Sequence, residues 1–439
     1  MNEQVKLFQN DLEAVFAARP NRFLIIAKAG GKETACHCPD PGRLTELLFP
    51  GARLILEKRR GGQSAVKRGP PAKTAYTAAA VRYRGEIVPL FSARLNRAAE
   101  KLILKKIIPG LKEIHAEFSL GNSRFDFLCI DEKGRRHLVE VKACSLVEHG
   151  VAMFPDAPSG RALKHLEELA SLGSRGYCCH LLFVITHGEP KVFVPNPHTD
   201  PAFAAALYRY GRPARSRTAG GRTRETGEGA APVLVHAALI RCGEDGAARL
   251  AAAPGGGGFI PPDLSRGELA EKNSGSYLII LEIPKEIPEA GKRAKAKARR
   301  DASGTLILEA GALGNIEIKP GWYVYAGSAM KNLSQRISRH LRRVKKKKHW
   351  HIDYLSPWAS KIRALPICSR RNLECDLAAA LEALGGKGVP GFGCSDCRGA
   401  GGRRCSSHLF YFRKNPMEER SFVEMLMRFR HEEMKTAKA

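Results

Sequence analysis

Residues 137–147 read HLVEVKACSLV. Two opposite charges, Glu140 and Lys142, stand two positions apart in an otherwise apolar, β-branched run, and the alternation of a strand puts both on one face. Upstream, SRFDFLCI (123–130) sets Asp126 in a second strand-like segment, with the polar turn DEKGRR between the two. Phosphodiester hydrolysis needs a divalent cation held by hard oxygen ligands and a cation or acid–base group beside the attacked phosphorus, where charge accumulates. Asp126 and Glu140 would hold Mg²⁺ or Mn²⁺, and Lys142 would position water and stabilise charge. E-x-K alone is a common chance pattern, met equally by a Glu–Lys pair on the solvent face of an edge strand. The Asp in the neighbouring strand and the basic helix that follows favour the metal reading.

Around this stretch, FDFLCI, HLVEVKA, the helical GRALKHLEELASL (160–172), CCHLLFVI and KVFVP describe an α/β layer. On that helix Leu163, Leu166 and Leu169 share one face, while Arg161 and His165 share another and are read as DNA contacts. Before about residue 95 come short strands with Gly and Pro between them, RFLIIAKA, GGKETACHC, ARLILEKR and TAAAVRYRGEIVPLF, which suggest a small barrel. In HCPDPGRL (37–44) Pro and Gly fix a turn. Arg43 there either holds a phosphate bidentately, or merely caps the turn or pairs with Glu46. Asp156, just before the helix, is a helix cap or a third carboxylate near the metal.

The 439 residues allow two to four domains, and 72 Lys and Arg against 44 Asp and Glu leave a formal charge of +28. Such a surplus favours a polyanion, most simply DNA, with RNA as an alternative. No apolar run approaches the roughly 18 residues of a membrane span. The start, MNEQVKLFQNDLEAVF, does not resemble a signal peptide, so a cytoplasmic chain is expected, its 12 Cys reading as thiols or metal ligands. Residues 212–232 and 289–304 are basic, core-poor stretches, and the Gly-rich AAAPGGGGFIPPDLSRGELAEKNSG (251–275) reads as a linker with the boundary near 268.

HCPDPGRLTELLFPGARLIL, SRFDFLCI, LVEVKACSLV and AMFPDAPSGRALKHLEEL, in this order over roughly residues 10–265, resemble the sugar fermentation stimulation protein A family. The resemblance implies an OB-like barrel (1–94) followed by a PD-(D/E)XK nuclease-like α/β domain (95–265), with DNA binding as the attributed activity and Asp126, Glu140 and Lys142 as the nuclease motif. The chain departs from the family at Asp40, where Asn is usual, and at Ala162, where Gly is usual. A non-catalytic regulator of sugar-metabolism genes is the alternative that the family's name suggests.

In the second half, GSYLIILEI (275–283) and GWYVYAGSA (321–329) are Tyr-bearing strands, and MKNLSQRISRHLRRVKKKKHWHIDYL carries Arg336, Arg339, His340 and Arg343 at spacings of three and four, a basic face suited to a phosphate backbone. A phenol beside such cations either has its pKa lowered enough to act as a base or donates a hydrogen bond from a core. Gly275-Ser276-Tyr277 and Tyr325-Ala326-Gly327 resemble the two motifs of the GIY-YIG nuclease superfamily, which implies a GIY-YIG-like α+β domain (274–413), after a linker at 266–273 and before a helical tail (414–439). The resemblance gives Tyr277 and Tyr325 catalytic places, Arg336 the stabilisation of the pentavalent phosphorus, and Glu374 one Mg²⁺. Cys394, Cys397, Cys405 and His408 offer two ligand pairs suited to structural Zn²⁺, behind buried thiols or a polar active-site wall as competing readings. His349 and His351 in KHWHIDYL read as a DNA-facing or core-satisfied pair.

Overall fold

A computed structural model describes residues 3–59, 74–121, 123–213, 232–286, 298–342, 347–394, 397 and 405–435. Most of the basic stretch 212–232, part of 289–304, and Arg343 lie outside the described residues. The chain divides into two units, Met1–Glu268 and Leu269–Ala439.

In the first unit, β1 (Leu12–Asn21), β2 (Leu24–Ala29), β3 (Lys32–His37), β4 (Arg53–Lys58) and β5 (Tyr76–Tyr83) pair in the order β3-β2-β1-β4-β5. β3 also pairs with β5 at Cys36↔Tyr76 and His37↔Thr77, closing a five-stranded ring around Phe16, Ile25, Leu54, Leu56 and Val81. The α/β layer follows with β7 (Leu111–Leu120), β8 (Ser123–Asp131), β9 (Arg136–Cys144), β10 (Cys178–Ile185) and β11 (Val233–Cys242), in the order β11-β10-β9-β8-β7. Strand β6 (Glu86–Pro89) joins the two, pairing with β5 and, at Ile87↔Cys242, with β11.

β9 runs parallel to β10 and antiparallel to β8, so it is an interior strand. It is covered on both faces, which explains its nearly unbroken apolar run. Leu138 belongs to a core with Leu166 and Leu169 of α1 (Gly160–Gly173) and Phe203 of α2 (Pro201–Tyr210). Val139 and Val141 belong to another, with Leu102, Ile103, Leu182 and Val184. The solvent-facing edge-strand reading of Glu140 and Lys142 therefore fails.

The boundary expected near 268 coincides with the division between the units, but the Gly-rich stretch before it is packed and not a loose linker. Ile260 N–H donates to Ala237 O at 2.8 Å and Asp263 N–H to Phe193 O at 2.8 Å, while Ile260 and Leu264 are buried. The glycines make turns that return the chain to the sheet; Gly258 has φ +89°, and a Cβ there would meet Leu250 Cγ at 2.3 Å. The segment 266–273 begins at Arg266, buried and ion-paired with Asp263 at 3.3 Å, and continues as the short helix Glu268–Lys272.

The second unit is built on an antiparallel sheet in which β12 (Gly275–Ile283) lies between β13 (Gly321–Ala329) and β14 (Lys361–Cys368), and β13 pairs onward with β15 (Leu409–Phe412). Its helices include α3 (Leu333–Leu341), α4 (His351–Leu355) and α5 (Glu374–Ala383). The expected C-terminal tail is part of this unit: α6 (Arg420–Lys435) buries Phe422, Val423 and Leu426, and Arg430 donates to Pro366 O at 2.9 and 3.0 Å. No helix among the described residues is long and apolar enough to cross a membrane.

A packed 251–265 segment has two measurable consequences. Limited proteolysis of the native chain should spare it, as mapped by mass spectrometry of the fragments, and Ile260→Ala should lower stability in a urea melt by about 2–5 kcal/mol.

Candidate functional site

The β8–β9 ladder runs from Arg136↔Ile130 to Val139↔Phe127. Beyond it, the Asp126 carboxylate takes the place of a strand partner: Oδ2 accepts from the Val141 N–H at 2.7 Å, and Oδ1 from Asn96 Nδ2 at 2.7 Å. Glu140 is 3% exposed. Its Oε1 is shared by the Lys142 ammonium and by His165 Nδ1, the latter at 2.5 Å, while its buried Oε2 has no hydrogen-bond partner. Burial and then the charge of Glu140 raise the Asp126 pKa. Burial also works to raise that of Glu140, but the His165 hydrogen bond and Lys142 outweigh it and hold the carboxyl below its usual range. Two adjacent carboxylates thus titrate apart. An orphaned buried carboxylate oxygen beside a second carboxylate suits a hard divalent cation, and Asp126 and Glu140 are the residues that would hold it.

Arg161 is exposed on α1, whereas His165, expected beside it as a DNA contact, is buried. That position falls next to Leu166 on the sheet-facing side of α1, which brings the imidazole to Glu140. Asn96 was missed because it lies in a short irregular helical segment whose sequence has no clear periodicity. Lys6, the barrel residues His37, Lys58 and Arg59, and Arg94 and Arg97 from beside Asn96 line part of a cleft of about 710 Å³ that also carries Asp11 and Glu57.

The HCPDPGRL turn is fastened to the segment before α1. Asp156 Oδ2 accepts from the Leu44 N–H at 3.2 Å, and a Cβ at Gly42 would meet that same oxygen at 2.4 Å. Asp156 is therefore not the cap of α1, which is Ser159, whose side chain accepts from the Ala162 N–H. Arg43 is half-buried, with burial lowering its pKa against the opposing pull of Asp156. Asp40 is buried too, its Oδ1 accepting from the Gly42 N–H at 2.8 Å, so its carboxylate is spent on the turn.

In the second unit, Tyr277 of β12 lies opposite Gly327 of β13, where a Cβ would meet the phenol oxygen at 2.6 Å. The Tyr277 hydroxyl is 3.0 Å from His340 Nε2, and His340 Nδ1 is 3.3 Å from Asp353 Oδ1. The carboxylate can only accept, so a neutral His340 carries its proton on Nδ1 and takes a hydrogen bond from Tyr277 at Nε2. Burial raises the pKa of both Tyr277 and Tyr325, and for Tyr277 the nearby Arg336 only partly offsets it. Of the two readings of the phenol, the structure shows the hydrogen bond donated from a core. His340 is fully buried rather than on a DNA-facing surface, and Arg339 is engaged by Asp353 at 2.9 Å. Arg336 stacks on Trp350, with its guanidinium carbon 4.1 Å from the ring centroid.

Glu374 has both oxygens engaged, Oε1 with His408 Nδ1 at 2.9 Å and Oε2 by the Ser328 hydroxyl at 2.5 Å. Of the expected zinc set, Cys397, Cys405 and His408 converge, but Cys394 does not: its sulfur bonds Ser406 O at 3.6 Å, and Cys375 stands in its place. Cys375 was overlooked because it is 22 positions from Cys397 and belongs to no Cys-x-x-Cys pair. All twelve cysteines are free thiols.

Asp40 yields a pH prediction. Burial and then the charge of Asp156 raise its pKa from 3.8 to about 6. The folded chain holds that proton where the unfolded chain has lost it, so this contribution to stability falls as pH rises through roughly 4–6 and is gone above that window. Asp40→Asn keeps the acceptor for Gly42 and should be more stable than the parent at pH 7.5, on the order of 2 kcal/mol, with little difference at pH 4. Paired thermal melts at the two pH values measure it.

Residues 18–90 match the family model described as the SfsA N-terminal OB domain, residues 93–213 the sugar fermentation stimulation protein RE domain, and residues 301–431 a domain of unknown function, DUF123. A sugar fermentation stimulation protein homolog of Pyrobaculum neutrophilum is 38% identical over 204 residues, 46% of this chain and 83% of that protein. One from Moorella thermoacetica is 38% identical over 208 residues, 46% of this chain and 86% of that protein. A solved structure of Pyrococcus furiosus SfsA in complex with Ca²⁺ is 26% identical and covers 59% of this chain and 99% of its own, with a TM-score of 0.47. The chain belongs to the sugar fermentation stimulation protein family and carries a DUF123 domain on its C-terminal side.

Proposed function

We propose that the chain binds nucleic acid, with DNA as the principal partner, and that its first unit is a PD-(D/E)XK-type phosphodiester hydrolase working in the cytoplasm. The observation that carries this reading is the buried Glu140, whose Oε1 is paired with Lys142, whose Oε2 has no hydrogen-bond partner, and whose charge acts on the neighbouring Asp126. A divalent cation held there, Mg²⁺ or Mn²⁺, supplies Lewis-acid stabilisation of the phosphoryl oxygens. Lys142 places a positive charge beside the phosphate and orients the attacking water. His165 holds Glu140 in position from α1. Asp126, pinned by Asn96 and the Val141 amide, has little freedom to swing away. The cleft lined by Lys6, Lys58, Arg59, Arg94 and Arg97, against Asp11 and Glu57, offers a path for a phosphate backbone, and Arg43 and Arg161 add positive charge to this unit.

The second unit is read as a GIY-YIG-like domain. The buried Tyr277–His340–Asp353 chain favours a nucleic-acid grip over a second cutting site. RNA is kept as an alternative partner because Phe23, half-exposed on the barrel with Arg22 at 5.1 Å from its ring, could stack on an unpaired base.

Glu140→Gln should lower Mg²⁺- or Mn²⁺-dependent cleavage by about 100-fold or more, with nucleic-acid affinity retained. The measurement is cleavage and binding on single-stranded, duplex and branched DNA and on RNA, with a thermal melt to establish that the variant is folded. Unchanged cleavage by a folded variant makes Glu140 a structural residue. Salt-dependent binding by a parent chain that cuts nothing supports a non-catalytic regulator instead.

A further inference from the structure

Four side chains in the second unit form a site that the hydrolase reading does not use. The ligand atoms of Cys375, Cys397, Cys405 and His408 all lie within 4.8 Å of one another, and the sulfurs of Cys375 and Cys397 are 3.3 Å apart. Zinc–sulfur bonds of about 2.3 Å and zinc–nitrogen bonds of about 2.0 Å in a tetrahedron separate ligand atoms by roughly 3.5–3.8 Å, so a small adjustment of side chains would seat an ion.

The strongest pointer is His408. It is 2% exposed, and its Nε2 is buried without a hydrogen-bond partner. Its other ring nitrogen, Nδ1, is 2.9 Å from Glu374 Oε1, and Glu374 is itself held by Ser328. A carboxylate that fixes one nitrogen of an imidazole and leaves the other to a metal is the usual outer-shell arrangement of zinc histidines. Leaving Nε2 buried and unmatched would otherwise cost stability.

We propose that Cys375, Cys397, Cys405 and His408 bind a zinc ion in a closed, structural Cys₃His site, with Glu374 as the carboxylate that orients His408. Three thiolates and an imidazole select zinc over the hard cations suited to carboxylates. Four protein ligands leave no open position for substrate, which separates the site from a catalytic zinc centre. The ion fastens the start of α5, which bears Glu374 and Cys375, to the segment that leads through His408 into β15. Glu374 then serves as a positioning residue for the zinc site in place of the Mg²⁺ ligand that the GIY-YIG resemblance implies. The proposal is independent of the first unit's chemistry.

The full chain, purified without a metal-chelating tag, should retain about one zinc per molecule by elemental mass spectrometry. Replacement by Co²⁺ should give the intense visible bands of a tetrahedral site together with sulfur-to-cobalt charge transfer. Alkylation should spare Cys375, Cys397 and Cys405 until a chelator is added, while Cys394 reacts with or without it. Cys394→Ser should keep the zinc, Cys375→Ser should lose it, and Glu374→Gln should weaken zinc affinity about 10–100-fold. The proposal is overturned if the chain takes up no zinc in any of these assays and the four cysteines alkylate alike. It is equally overturned if Cys394→Ser releases the ion while Cys375→Ser retains it, or if freshly purified protein contains a Cys375–Cys397 disulfide.

Discussion

The first unit depends on how a carboxylate is kept charged inside a sheet. Glu140 is buried on an interior strand, where an unpaired charge would cost several kcal/mol. Lys142 shares its strand and His165 must come from elsewhere, so α1 has to lie where its sixth and seventh residues, His165 and Leu166, deliver an imidazole and a leucine to the same face of the sheet. The start of α1 is fixed in turn: Ser159 caps it, and the Ser159 N–H donates to Asp200 Oδ2 at 2.9 Å. Asp200 also caps α2 by accepting from the Phe203 N–H. One buried acid thus ties β9 to two helices through a run of hydrogen bonds.

That dependence explains what could be read from the sequence. The period-2 pattern of residues 137–147 contains both the strand and the shared face of Glu140 and Lys142, and the short β-rich runs before residue 95 contain a barrel. Periodicity along one segment says nothing about which segment lies opposite. The helical pattern puts His165 on α1, but its shared charge type with Arg161 points it to solvent, whereas the structure buries it against Glu140. Asp156 had two plausible local roles and took a third, reaching a turn 112 positions away. The glycines of 255–258 were read as slack because composition cannot distinguish a loose linker from a tight turn that returns Ile260 to the core.

In the second unit the two tyrosine motifs are linked by shape. Tyr277 needs the space that only a glycine at 327 leaves, so the Gly of one motif makes room for the Tyr of the other. The same close packing strips water from the phenol and raises its pKa, which suits a hydrogen-bond donor to His340 more than a base.

Each unit contains a carboxylate bonded to a histidine, and the atom left over distinguishes them. In the first, Glu140 spends Oε1 on His165 and Lys142 and keeps a buried Oε2, so the open valence is a hard oxygen beside a second carboxylate. In the second, Glu374 has no oxygen to spare, and the open atom is Nε2 of His408 beside three sulfurs. Oxygen donors favour Mg²⁺ or Mn²⁺, whose bound waters can exchange for a phosphate; nitrogen and sulfur donors favour zinc held permanently. On the two readings proposed above, the same pair of residue types fits a reacting metal in one unit and a structural metal in the other, decided by which member of the pair keeps an unpaired buried atom.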